Sequence, residues 1–208
     1  MGCRLSNGIL TVDIADIGEY KGTRFDWTGF ITQGTLEEGK HTFCVPESLK
    51  PGEGTGGKGL CNEFGISRAI GYDEAPIGGW FPKIGVGLLQ KGNSPLYSFN
   101  EEFPLTSFSK DVEAGNDAVT YTIHPMESNG YAVQLTKTIS LQGDQLIIAY
   151  ELHKKGQKPF RTEEYIHNFI GIDGLNIGQD FELRLPRELK VVEPESSYTK
   201  ELLEISGN

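Results

Sequence analysis

Apolar positions in this chain alternate with polar ones over short runs, and Gly, Pro or an Asn/Asp–Gly pair closes nearly every run. That two-residue period is the signature of half-buried strands rather than helices. Ile9–Ile14 reads as a first strand, and Asp16–Gly22 turns the chain. Thr23–Trp27 and Phe30–Leu36 read as two strands around a Thr28-Gly29 break, and His41–Val45 as a short extended piece stopped by Pro46. Cys61–Ser67 and Phe81–Gln90 continue the pattern after intervening loops. From Leu96 the spacing predicts consecutive strands at Leu96–Phe99, Leu105–Ser109, Ala118–His124, Tyr131–Leu141 and Gln145–Leu152. Turn signals at Asn116-Asp117, Asn129-Gly130 and Gly143-Asp144 separate the later ones, which makes an antiparallel meander. Arg161–Ile172, Phe181–Leu185 and Leu189–Val192 follow, and only Thr199–Ile205 reads as a short helix. With no repeat and no long linker, the expectation is one all-β antiparallel sandwich over residues 1–208.

One strand stands apart. Thr162–Ile170 (TEEYIHNFI) places Tyr165, His167 and Phe169 on one face and Glu164, Ile166, Asn168 and Ile170 on the other. A histidine between two aromatic side chains sits in a half-dry wall, where its pKa moves near neutrality, as general acid or base work requires. The competing reading is a core histidine with satisfied partners.

Composition narrows the function classes. The chain has 208 residues, 37% of them hydrophobic and 23% charged, enough for a packed core. The formal net charge of −10, without a Lys/Arg cluster, argues against nucleic acid as a partner. Cys3, Cys44 and Cys61 form neither a disulfide framework nor zinc-ligand spacing, so no metal and a reducing, cytoplasmic home are expected. No apolar run nears the roughly 20 residues of a membrane helix, and no membrane association is expected. The opening MGCRLS fits a lipidation pattern, but it runs directly into a strand and is read as an ordinary start. The Gly-rich Glu47–Leu60 segment reads as a surface loop; its GTGGKG lacks phosphate-loop spacing.

Several polar residues in apolar surroundings are candidates for a site. Arg24 and Asp26 alternate with Phe25 and Trp27, and either pair with each other or offer bidentate hydrogen bonds to a ligand. Trp27 and Trp80 serve as core or as stacking platforms. His41 precedes TFCV; Glu47 follows Pro46; Glu63 sits beside Asn62 in an otherwise apolar strand; Lys83, in FPKIGVG, pairs with either carboxylate. His124 and His153 end strands and read as peripheral.

The segment 129–170, with its strand pair Val133–Ile139 and Leu146–Glu151 leading to Tyr165-Ile166-His167-Asn168-Phe169, resembles the central part of the galactose mutarotases, the aldose 1-epimerases. Gly56–Phe64 (GGKGLCNEF) resembles the loop that carries that family's other histidine. FDWTGFI, HTFCVPES, GLCNEFGI and FPKIGVG are similar to a bacterial mutarotase-like branch. The resemblance implies an antiparallel β-supersandwich with an open sugar cleft on a concave sheet and no cofactor. It implies a hexose or hexose phosphate as ligand, with His167 as general acid and Arg24 as a sugar contact. Glu63 or Glu47 would supply the base, and Asp26, His41, Asn62, Lys83 and Trp80 would complete the binding set. Two departures stand out: Cys61-Asn62 occupies the place of the family's first histidine, and the family's late glutamate has no counterpart. The resemblance therefore implies at most a weak isomerase, or a sugar-binding protein without chemistry. A structural β-domain is the reading from another class. Missing C-terminal strands would leave an edge uncovered, so a homo-oligomer is expected.

Overall fold

A computed structural model describes residues 2–50 and 52–175. The chain divides into two compact units, Met1–Asp173 and Gly174–Asn208. The strands expected at Phe181–Leu185 and Leu189–Val192 and the helix at Thr199–Ile205 lie outside the described residues.

The described residues contain strands and no helix, in three antiparallel sheets. The first sheet holds β1 (Cys3–Ser6), β2 (Leu10–Ile14), β3 (Ile31–Leu36), β5 (Leu60–Phe64) and β13 (Glu164–Asn168) in that order, with β4 (His41–Thr42) also paired to β3. The second runs β12 (Gln145–Lys154), β11 (Val133–Gln142), β10 (Ala118–His124), β9 (Ser109–Ala114). The third joins β6 (Trp80–Lys83), β7 (Gly87–Gln90) and β8 (Leu105–Ser107).

The first two sheets stack. Leu5, Leu10, Val12, Ile14 and Ile31 from one meet Val119, Tyr121, Ile139 and Leu141 from the other in a single buried cluster. Each contributes alternate residues, as β11 shows most plainly: Val133, Leu135, Lys137, Ile139 and Leu141 are buried while their neighbours are half-buried. The expected all-β sandwich character is therefore present. Tight hairpins drive it. Asn129 and Gly130 both take positive φ, 51° and 83°, and Ser128 and Tyr131 exchange backbone hydrogen bonds of 2.9 Å across them. Asn and Gly tolerate that backbone, so this dipeptide fixes the turn.

Two expected strands are absent. Thr23–Trp27 and Leu96–Phe99 are bends and turns. Their backbones instead serve single contacts, such as Asp26 N donating to Asn62 O at 2.8 Å. Two strands were not expected: β1, ahead of the strand read as the first, and β9. In β9, SKDVEA is charged and mostly exposed, because an edge strand facing water needs no apolar period.

β5 positions the site. Leu60 and Phe64 join the cores between the sheets, so Asn62, which alternates with Cys61 and Glu63, points the same inward way. Cys61 and Glu63 lie on the opposite face. The β5–β13 register sets Cys61 opposite His167 and Glu63 opposite Tyr165, which delivers β13's aromatic face to that outer side.

Candidate functional site

The outer face of β5 gathers Arg24, Glu47, Glu63, Lys83 and His167. Arg24 is its hub. Its Nε donates to Glu63 Oε2 at 2.8 Å, and its Nη1 donates to Thr55 Oγ1 at 2.9 Å and lies 3.4 Å from Glu47 Oε1. Its Nη2 lies 3.1 Å from His167 Nε2. A guanidinium only donates, so that contact makes Nε2 the acceptor and sets the ring as the neutral Nδ1–H tautomer. The guanidinium is also stacked between Phe25 and Phe99, at 4.7 and 4.2 Å from their ring centroids. Arg24 is thus held by its plane and by its edge, which the planar fork of arginine suits and a lysine would not.

The two carboxylates differ from expectation. Glu63 is fully buried, with Arg24 on one oxygen and Lys83 Nζ 3.4 Å from the other. Lys83, itself 1% exposed, donates to Tyr97 Oη at 2.8 Å. Burial drives its pKa down to about 8, against the opposing pull of Glu63. Glu47 accepts from Thr55 N at 2.6 Å and Gly57 N at 3.0 Å, as well as from the Thr55 hydroxyl. Burial alone would raise its pKa; those donors and Arg24 outweigh it and hold the carboxyl below its ordinary value. Both carboxylates are engaged by protein donors, and they orient Arg24 and the 47–57 loop.

His167 is the exposed member. It is half-buried, edge-on to Phe25 at 5.6 Å and to Tyr165 at 4.8 Å, and stacked on Phe169 at 4.7 Å. Burial and the Arg24 charge lower its pKa, while Glu47 and Glu63 pull the other way. The net direction favours the neutral ring, the form that accepts from Arg24. The expected alternation of Tyr165, His167 and Phe169 on one face matches the geometry.

The remaining candidates disperse. Arg24 and Asp26 do not pair with each other: Asp26 accepts from Thr28 N and Oγ1 at 2.9 and 2.6 Å and lies 3.4 Å from Lys137 Nζ, between the stacked sheets. The two side chains part because Thr23–Trp27 is not a strand. Asn62, on the inner face, donates to Glu164 Oε1 at 2.9 Å. His41, in β4, pairs with Asp173 at 2.8 Å rather than with a residue of the cluster. Trp80 begins β6, where its carbonyl accepts from Ser128 Oγ. Sequence reading missed Thr55, Tyr97 and Phe99; the first lay in a loop without periodicity, the others in a segment read as a strand. Among the described residues no group of three or more His, Cys, Asp and Glu is placed to hold a metal ion, and no helix is long and apolar enough to cross a membrane.

Comparison of the chain with family models, with curated proteins and with solved structures returned no match.

Proposed function

We propose that the chain is a carbohydrate-binding protein of aldose 1-epimerase type, with a hexose seated on the Tyr165–His167–Phe169 face of β13. One observation carries this reading. Arg24 locks a neutral imidazole by a 3.1 Å contact, beside aromatic rings that are themselves partly exposed. Aromatic faces stack on the C–H face of a pyranose, and a fixed polar group at their centre sets its orientation. The ring nitrogen left to a ligand is Nδ1, an N–H donor suited to a sugar oxygen. In such a reaction His167 would protonate the ring oxygen while a carboxylate takes the anomeric proton. Here the imidazole is kept neutral and both carboxylates are engaged, so binding dominates and isomerisation is slow. A cytoplasmic setting is part of the reading, supported by three free cysteines. So is self-association, supported by Ile166 and Ile170, 63% and 43% exposed on and beside β13, the end strand of its sheet among the described residues.

The test follows α-to-β interconversion of glucose, galactose and their 6-phosphates by polarimetry, with calorimetric binding in parallel. Binding of at least one sugar by the wild type, lost in His167→Ala, is the expected result, with rate enhancement at or near background. Loss of one acid–base partner commonly costs about 10²–10⁴-fold, which is what the absent base predicts. Binding untouched by His167→Ala would reject the site.

A further inference from the structure

One large hollow does not lie on His167. It is a cavity of about 730 Å³ on the other side of the Gly54–Lys58 loop, walled by the Glu19–Thr23 turn, Phe30 and Thr32, and the Glu102–Leu105 segment. That volume lies within the range of about 300–1,000 Å³ typical of small-molecule sites. We infer that this cavity is a second ligand site, for an uncharged saccharide, separate from the His167 face.

Its wall is built without a ligand. Tyr20 stacks on Phe30 with centroids 5.3 Å apart, and its hydroxyl donates to the Thr55 carbonyl at 3.2 Å. The loop closes against that ring because it carries glycine there: a Cβ on Gly56 would stand 3.3 Å from Tyr20, and one on Gly22 would meet the Tyr20 hydroxyl. Gly54 and Gly56 both hold φ of 81°, a backbone that side chains other than glycine rarely adopt. From the far side Glu47 fixes the loop by accepting from Thr55 N and Gly57 N. Phe103, buried, and Leu105, half-buried, add apolar wall.

The polar lining selects the ligand class. Lys21, Lys58, Glu19 and Glu102 all line the cavity, two charges of each sign. A phosphate would meet two carboxylates, and a bare cation two ammonium groups. A sugar hydroxyl both donates and accepts, so it uses carboxylates, ammonium groups and the Thr23, Thr32 and Thr55 hydroxyls alike. The aromatic wall supplies the apolar face that such a ring needs. Thr55 connects the two sites, since its Oγ1 accepts from Arg24 Nη1 at 2.9 Å.

The test is a titration of the isotopically labelled full chain with glucose, galactose and maltose, followed by amide resonances. Shifts at Gly54, Thr55, Gly56, Lys58 and Leu105 are expected, retained in His167→Ala. Two variants separate occupancy from folding: Lys58→Ala with Glu102→Ala, both exposed, and Leu105→Trp, which fills the cavity. Each should weaken those shifts at least tenfold in apparent affinity while the remaining spectrum stays dispersed. Absence of shifts in the loop, or shifts unchanged in both variants, overturns the proposal. Loss of every shift in His167→Ala also overturns it and leaves the His167 site standing. Loop shifts that persist in His167→Ala without any response of β13 in the wild type support the cavity and reject the His167 reading.

Discussion

β5 carries a buried charge cluster on each face, and the two are built differently. On the inner face Lys137 is saturated. Its Nζ donates to Thr28 O at 2.8 Å, lies 3.4 Å from Asp26 and stands 5.0 Å from the centre of the Tyr150 ring. Burial lowers the Lys137 pKa against the pull of Asp26, and both residues are 2% exposed or less. Nothing there opens to water. On the outer face Arg24, Glu63 and Lys83 are equally deep, but the chain of contacts continues through Arg24 to His167, which does reach solvent. A closed charge cluster specifies packing; one that terminates in an exposed, aromatic-flanked imidazole can address a ligand. The comparison also shows why Arg24 and Asp26, two residues apart, have unrelated roles.

The inner pair should give the largest effect. Lys137→Ala leaves Asp26 buried without its charge partner, a loss of about 3–5 kcal/mol. Urea denaturation measures it, and a loss below about 1 kcal/mol would mean water enters between the sheets. Sugar binding by the residual folded protein should be unchanged. On the outer face Arg24→Met should cost less, about 1–3 kcal/mol, because Lys83 still faces Glu63. It should abolish sugar binding, since His167 loses the donor that sets its tautomer. Equal stability losses with binding intact in both variants would erase the distinction.

A subtler effect is pH dependence. The Lys83 pKa in the folded chain is near 8 against an ordinary 10.5. Between those values the unfolded chain holds a proton that the folded chain has released. Stability therefore rises with pH across that window. Lys83→Met should flatten that rise, seen as a smaller change in denaturation midpoint between pH 8 and 10. An unchanged slope would place the ammonium in a wetter site. The smallest expected effect is His167→Phe. The ring is half-exposed and its neighbours are aromatic, so stability should stay within about 0.5 kcal/mol while hexose binding falls at least tenfold. A large stability loss would make His167 a core residue instead.

The strands were legible where one face is buried and the other is not, as in β2, β10 and β11, because burial writes itself as alternation. The aromatic face of His167 was legible from the two-residue side-chain period alone, although β13 is mostly exposed. Legibility stopped at residues placed by single contacts. Arg24 and Asp26 looked coplanar because Thr23–Trp27 alternates, yet that segment is tied down by Asp26 N to Asn62 O and Trp27 N to Gly85 O, neither of which is a ladder. Glu63 and Glu47 looked like free carboxylates because sequence shows the acid and not its donors. Thr55 could be found only through the 2.6 Å bond from its amide to Glu47, a contact across eight residues of Gly-rich loop. The charged strand β9 carries no apolar period at all.

The most direct test of a ligand site built on Arg24 and His167 is a pH titration of the four histidine ring resonances, repeated with saturating hexose. His167 should titrate below the ordinary histidine value, since burial and Arg24 disfavour its charged form. Its resonance should shift on adding sugar, while His41, His124 and His153 stay in place. A His167 ring that titrates at the ordinary value and ignores glucose, galactose and their 6-phosphates would contradict the account.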